Sequence, residues 1–163
     1  MVELVKYCDA HRDSLVQLLN NKNVSDWLLL VPNPYTLLDA YWWLNKCRET
    51  ENNGKDYNYA IECDGVHVGG IGLRKRFEHA GEIGYWLGEI YWGKGYMKHA
   101  INDMLLFAIN ELNLVRVSAE IFEDNVRSEK LLKKCGFEYE GLLKKKNKKG
   151  DRYINAKLYS FVV

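Results

Sequence analysis

Two glycines and a lysine, Gly93-Lys94-Gly95, stand between a strand-like stretch and an amphipathic helix, and this junction constrains the chain most strongly. Ahead of it, Glu82-Ile83-Gly84-Tyr85-Trp86-Leu87-Gly88 reads as a strand. Behind it, Lys98 to Leu112 reads as a helix. Met97, Ile101, Met104, Leu105, Ala108 and Leu112 fall on one side at helical period. The full junction is Tyr91-Trp92-Gly93-Lys94-Gly95-Tyr96-Met97. A tight glycine loop at a helix start can aim several backbone N–H groups, and the positive end of the helix dipole, at one spot. Such a spot suits an anion, most often phosphate. The expectation is that a pyrophosphate-bearing cofactor docks there.

The next segments set the topology. Val115, Val117, Ala119 and Ile121 alternate with Arg116, Ser118 and Glu120, which predicts a strand. A helix separates it from the Glu82–Leu87 strand, so the two should lie parallel through a right-handed crossover. Asp124-Asn125 then caps a short helix, Val126 to Lys134, ended by Cys135-Gly136. Parallel strands end on the same side, so Asn125 should land near the glycine loop. Its amide offers a donor and an acceptor to an amide-bearing ligand arm.

Upstream, Val2 to Tyr7 reads as a strand, and Asp9 caps a helix to about Asn21. Thr36 caps a second helix to about Glu51, with Leu37, Ala40, Tyr41, Leu44 and Cys47 at helical spacing. Tyr57 to Cys63, an Asp64-Gly65 turn, Val66 to Phe77 and Glu82 to Leu87 make an antiparallel meander. Gly69, Gly70 and Gly72 inside its middle strand imply a bulge or a close backbone approach. Phe137 to Lys145 and Arg152 to Val162 close the chain as a hairpin around Asn147-Lys148-Lys149-Gly150-Asp151. The expected fold is α+β: one domain over residues 1–163, built on a single mixed, mostly antiparallel sheet of six to seven strands with helices on both faces.

Composition narrows the function. With 47% hydrophobic and 28% charged residues, the chain has a globular make-up. A net charge of +1 gives no global pull toward nucleic acid or membrane. No stretch approaches the roughly 18 apolar residues of a spanning helix, and the alternating, charged start Met1–Lys6 is unlike a signal peptide. Cys8, Cys47, Cys63 and Cys135 are scattered, as in a cytoplasmic protein with reduced thiols, and His11, His67, His79 and His99 lie on different elements, so no metal is expected. Lys144 to Lys149 reads as a solvated hairpin tip, or as an attraction to an acidic or RNA-rich partner; no base-reading element accompanies it. Nucleotide hydrolysis is disfavoured, because the loop lacks the Gly-x-x-x-x-Gly-Lys-Ser/Thr pattern.

The pieces Glu82–Leu87, Tyr91–Met97, Asn125-x-x-Ser128, Lys134-Cys135-Gly136-Phe137 and Glu140-Gly141, in this order, resemble the GNAT acyl-CoA-dependent N-acyltransferases. The chain is most similar to the RimJ/RimL-type branch, which acetylates ribosomal-protein N-termini. The resemblance implies that Trp92, Gly93, Lys94, Gly95, Tyr96 and Met97 form the pyrophosphate loop of acetyl-CoA. Trp92 stands where the family often has Gln or Arg, and Met97 where it has a small residue. The backbone of Trp86, Leu87 and Gly88 is implied to pair with the pantetheine arm, and Asn125 to contact the same arm. Glu82 is the implied base and Ser128 the implied acid, since Leu132 stands where many members carry a tyrosine; Glu140 is a further carboxylate. An N–H near Leu87 is the implied oxyanion donor. The implied reaction is direct attack of a primary amine on the thioester in a ternary complex, with Trp27, Trp42 and Trp43 on the acceptor side. The acceptor is expected to be a protein N-terminus of the ribosomal-protein type. Polyamines, aminoglycosides and amino acids are the alternatives, as is a non-catalytic acyl-CoA-binding module. Either a monomer or a homodimer is compatible.

Overall fold

In the computed structural model, which describes residues 1–163, the first hairpin turn falls on Asp64 and Gly65, with φ of 51° and 77°. Positive φ at both positions is what a two-residue turn of matching twist requires. The turn joins β2 (Asp56–Cys63) to β3 (Val66–Phe77), and β4 (Ala80–Leu87) follows antiparallel. β1 (Val2–Lys6) flanks β2. On the other side come β5 (Arg116–Phe122), β7 (Arg152–Val162) and β6 (Glu138–Lys149), giving the order β1-β2-β3-β4-β5-β7-β6. Every pair is antiparallel except β4–β5, which a helix separates in sequence. The expected α+β architecture is therefore borne out, with seven strands.

Five helices cover the sheet: α1 (Arg12–Leu19), α2 (Lys22–Ser25), α3 (Leu37–Thr50), α4 (Tyr96–Asn110) and α5 (Val126–Lys134). α4 drives its stripe of Met97, Ile101, Met104, Leu105 and Ala108 against Ile83, Leu87, Val117, Ala119 and Ile121 on one face. On the opposite face Leu15, Leu19, Ala40 and Leu44 of α1 and α3 pack on Tyr7 and Ala60. Each fully buried aliphatic side chain contributes about 1.5–3 kcal/mol. Gly69 and Gly70 explain the close approach expected in β3. A Cβ on Gly69 would stand 2.3 Å from the Trp86 carbonyl oxygen, and one on Gly70 2.2 Å from the Tyr7 hydroxyl.

Local expectations fare unevenly. Thr36 caps α3 as expected: its hydroxyl accepts the Asp39 N–H at 3.3 Å, while Asp39 accepts the Thr36 N–H at 2.7 Å. Leu37 and Tyr41 of that helix are exposed, because only the narrower stripe Ala40, Leu44, Cys47 meets the sheet. Asp9 does not cap α1. It opens a 3₁₀ turn, Asp9–His11, and its carboxylate pairs with Arg48. The helix expected to run to Asn21 stops at Leu19, and Asn21 caps the separate α2 by accepting the Asn23 N–H. β6 runs on to Lys149, so the lysine run is mostly strand and the tip is Gly150–Asp151.

Candidate active site

β4 leads through a 3₁₀ turn, Glu89–Tyr91, into Trp92–Gly95 and the start of α4. Gly93 and Gly95 hold φ of 77° and 81°, and nothing stands within 4 Å of where a Cβ would be on either. The loop therefore presents bare backbone to open space. The N–H groups of residues 93–98 bond to no backbone or side-chain acceptor, so consecutive donors converge at the electropositive end of a 15-residue helix. Met97 is buried in the α4 core cluster, which keeps its bulk off this surface. Trp92 donates its indole N–H to the Leu87 carbonyl at 2.8 Å. The Arg127 guanidinium of α5 lies 3.5 Å from the centre of the Trp92 ring, a stacked cation–π contact. Lys94 is exposed, its ammonium 5.5 Å from the Tyr91 ring centre.

Beside the loop the sheet opens. The β4–β5 ladder runs from Ala80↔Arg116 to Ile83↔Ala119 and stops. β4 continues four residues, about 13 Å, without a partner on that side. The Gly88 N–H bonds the Val68 carbonyl at 2.9 Å. Antiparallel alternation then turns the backbone of Trp86 and Gly88 toward β3, and that of Tyr85 and Leu87 toward the gap. Of the expected arm-binding stretch Trp86–Gly88, Leu87 alone thus offers the gap a backbone donor, its carbonyl being engaged by Trp92. Side chains alternate too. Trp86 turns to the α1–α3 face, its ring 5.8 Å from that of His67. Tyr85 turns to the α4–α5 face.

α5 forms the far wall. Asn125 caps it by accepting the Ser128 N–H at 3.2 Å, which leaves the Asn125 NH₂ unpartnered. The Ser128 and Tyr85 hydroxyls are hydrogen-bonded at 3.1 Å, a bridge from α5 to β4 that the sequence did not announce. Burial pushes the Tyr85 phenol well above its ordinary pKa. Leu132 is fully buried in the core.

The two candidate carboxylates differ. Glu82 lies beside the end of the β4–β5 ladder, level with Ser118 of β5 and on the same face as Trp86, and accepts from Arg76 at 2.9 Å. Glu140 is gripped by both terminal nitrogens of Arg116, at 2.7 and 2.5 Å, and by the Ser160 hydroxyl at 2.5 Å. Arg116 foremost, then Ser160, holds the Glu140 carboxyl down to about 2. Glu140 is therefore a poor proton acceptor near neutral pH. Of the three tryptophans expected on the acceptor side, Trp27 and Trp42 are exposed, whereas Trp43 packs edge-on to Tyr7 at 5.8 Å. No His, Cys, Asp and Glu group could hold a metal ion, and no helix is long and apolar enough to cross a membrane.

Residues 2–138 match the family model described as an acetyltransferase (GNAT) domain. The chain is 30% identical over 129 residues to the N-acetyltransferase YnaD of Bacillus subtilis (strain 168), covering 78% of this chain and 75% of that protein. It is 37% identical over 81 residues to the N-acetyltransferase p20 of Bacillus licheniformis, covering 50% of this chain but 46% of p20. Among solved structures, a ribosomal-protein α-N-acetyltransferase, RimL, in complex with coenzyme A superimposes with a TM-score of 0.90 at 22% identity, covering 99% of this chain and 94% of that one.

Proposed function

The chain belongs to the GNAT acetyltransferase family, and from that premise we propose that it transfers an acetyl group from acetyl-CoA to the α-amine of a protein N-terminus, by direct attack in a ternary complex. The observation that carries the reading is the row of unpartnered N–H groups at residues 93–98, set on an open glycine loop at a helix start. That is a cradle for the pyrophosphate of the cofactor. Arg127, stacked on Trp92, adds a cation beside it. The gap between β4 and β5 accepts the pantetheine arm as an added strand, with Tyr85 and Leu87 on one side and the free NH₂ of Asn125 on the other.

Acetyl-CoA supplies an already activated thioester, so the protein needs no covalent nucleophile. Its work is to deliver a neutral amine and stabilise charge. An α-amine with pKa near ~7.8 is roughly one-seventh neutral at pH 7, whereas a lysine near ~10.4 is almost wholly protonated. Glu82, beside the end of the ladder, takes the amine's proton, directly or through water. The Leu87 N–H donates to the thioester oxygen as negative charge develops there. Ser128, whose Oγ–H donates to the Tyr85 hydroxyl in the free protein, turns that proton to the departing sulfur and hydrogen-bonds it. The name of the RimL neighbour, whose likeness is one of fold, motivates the α-amine reading.

The test is acetylation of a panel of N-terminal peptides, polyamines, aminoglycosides and amino acids, followed by free thiol release. Turnover of peptides above the small amines is the expected result; tight coenzyme A binding without turnover of any acceptor would replace the enzyme with a binding module. Glu82→Gln should lower kcat by about 10²-fold or more with little change in acetyl-CoA affinity. An unaltered pH–rate profile would remove Glu82 from the chemistry.

A further inference from the structure

We infer that the β6–β7 hairpin is a cationic docking arm that selects acceptors carrying an acidic segment close behind the amine to be acetylated. The inference rests on the acetyltransferase reading above and names the substrate class for it. Residues 144–153 hold six Lys or Arg and one Asp, a net +5 in a chain whose total is +1, so the rest of the molecule sums to −4. A net positive charge is thus concentrated in ten residues of a chain whose remainder is net negative.

Two of these cations are spent on structure. Lys149 donates to the carbonyls of Ser25 and Leu28 at 2.6 and 2.9 Å, and Lys146 lies 3.5 Å from Glu120 of β5. They fix the hairpin to the α2 segment and to the strand that walls the gap. Lys144, Lys145, Lys148 and Arg152 are exposed and have no carboxylate partner. The ammoniums of Lys145 and Lys148 lie 5.9 and 5.7 Å from the ring centre of Tyr153, itself 62% exposed. A tyrosine face holds two lysines in place without neutralising them. Like charges gathered on a fixed arm repel one another, a cost that an anionic partner reverses.

The arm is tied at Lys146 to Glu120, two residues along β5 from Ser118, the position level with Glu82, so its charge stands beside the approach to the base. An acceptor with Asp or Glu in its first residues is drawn in. A polyamine is repelled, although it offers a good primary amine. Attraction of this kind acts mainly on encounter and is screened within about 8–10 Å at physiological salt.

The experiment compares peptides with one common N-terminus followed by acidic, neutral or basic residues, at about 20 mM and about 500 mM salt. Turnover and fluorescence-anisotropy binding are both measured, for the wild type and the triple variant Lys144→Gln, Lys145→Gln, Lys148→Gln. The wild type should favour the acidic peptide over the neutral one by about tenfold or more in kcat/KM at low salt. That preference should vanish at high salt and in the triple variant, while acetyl-CoA KM and neutral-peptide turnover stay unchanged. Equal use of acidic and neutral peptides by the wild type, or a preference that survives in the triple variant, overturns the inference. So does tighter binding of a 12-residue oligouridylate than of the acidic peptide, lost in the triple variant, which would make the arm a nucleic-acid surface. If no acceptor of any charge is acetylated, the enzymatic reading fails, and anisotropy still decides whether the arm docks acidic peptides.

Discussion

Gly95 and Gly54 share a backbone state, with φ of 81° and 66° and open space where a Cβ would stand. An alanine at either pays for the left-handed conformation, about 1–2 kcal/mol. Gly95→Ala and Gly54→Ala should therefore lower Tm to similar extents, but only Gly95→Ala should weaken coenzyme A binding in calorimetry. Equal affinity in the two variants would detach the loop from the cofactor. A second residue-scale prediction concerns His67, buried between α1 and β4. Its Nε2–H donates to the Gly69 carbonyl at 2.8 Å, and its Nδ1 faces the Ser14 hydroxyl at 2.6 Å. The rings of Tyr7, His11 and Trp86 surround it, and Glu62 reaches His11 from behind at 2.8 Å. Burial, then the neighbouring His11, lowers its pKa from 6.5 to about 4. The unfolded chain thus takes up this proton first as pH falls. Stability from this group is complete above pH 6.5 and declines toward pH 4, by about 2 kcal/mol between pH 7 and pH 5. Urea unfolding at those two pH values should show this loss in the wild type and a smaller one in His67→Gln.

Among the elements, the lysine of the β6 end does what no helix of the chain does for itself. α2 has four residues, too few to bury a stripe, and Lys149 holds the carbonyl of its last residue, Ser25, and that of Leu28 just beyond it from across the fold. Lys149→Met keeps the aliphatic stem and removes the donor. It should cost about 2 kcal/mol and speed amide exchange over residues 22–28, with acetyl-CoA KM unchanged. Unchanged exchange there would mean that α2 stands without the latch. α2 also shows where the sequence stops being legible. The strands, α3 and α4 announce themselves through alternation, a Thr36–Asp39 cap and a long apolar stripe, all local signals. A four-residue helix has no period to detect, and the polar stretch Lys144–Lys149 hides the extension of β6 for the same reason. In the site, the glycine loop and Asn125 were readable because spacing and parallel topology bring them together, whereas Ser128 came from the family resemblance. Arg127 on Trp92, Arg76 on Glu82 and the Tyr85–Ser128 bridge were not, because each joins side chains on different elements whose meeting only the packed fold decides.

Across the whole molecule, the gap arises because β4 and β5 each stay with an outer partner. β3 pairs β4 to Leu87, while β7 pairs β5 to Phe122, and between them the shared ladder ends at Ile83↔Ala119. Core side chains on both faces hold the strands at this divergence, so the fold leaves backbone donors and acceptors unpaired that a sheet would normally satisfy. The proposed pantetheine arm, extended and amide-bearing, would complete the ladder, and the alternation of β4 fixes which amides it would reach. The N–H groups of Tyr85 and Leu87 should exchange quickly in the free protein and become protected when coenzyme A is added, together with residues 93–98. Those of Trp86 and Gly88, turned to β3, should be protected in both states. Residue-resolved amide exchange by NMR reads this directly. Protection gained at Trp86 and Gly88 but not at their neighbours would mean the ligand does not enter between the strands, and the added-strand account of the gap would be wrong.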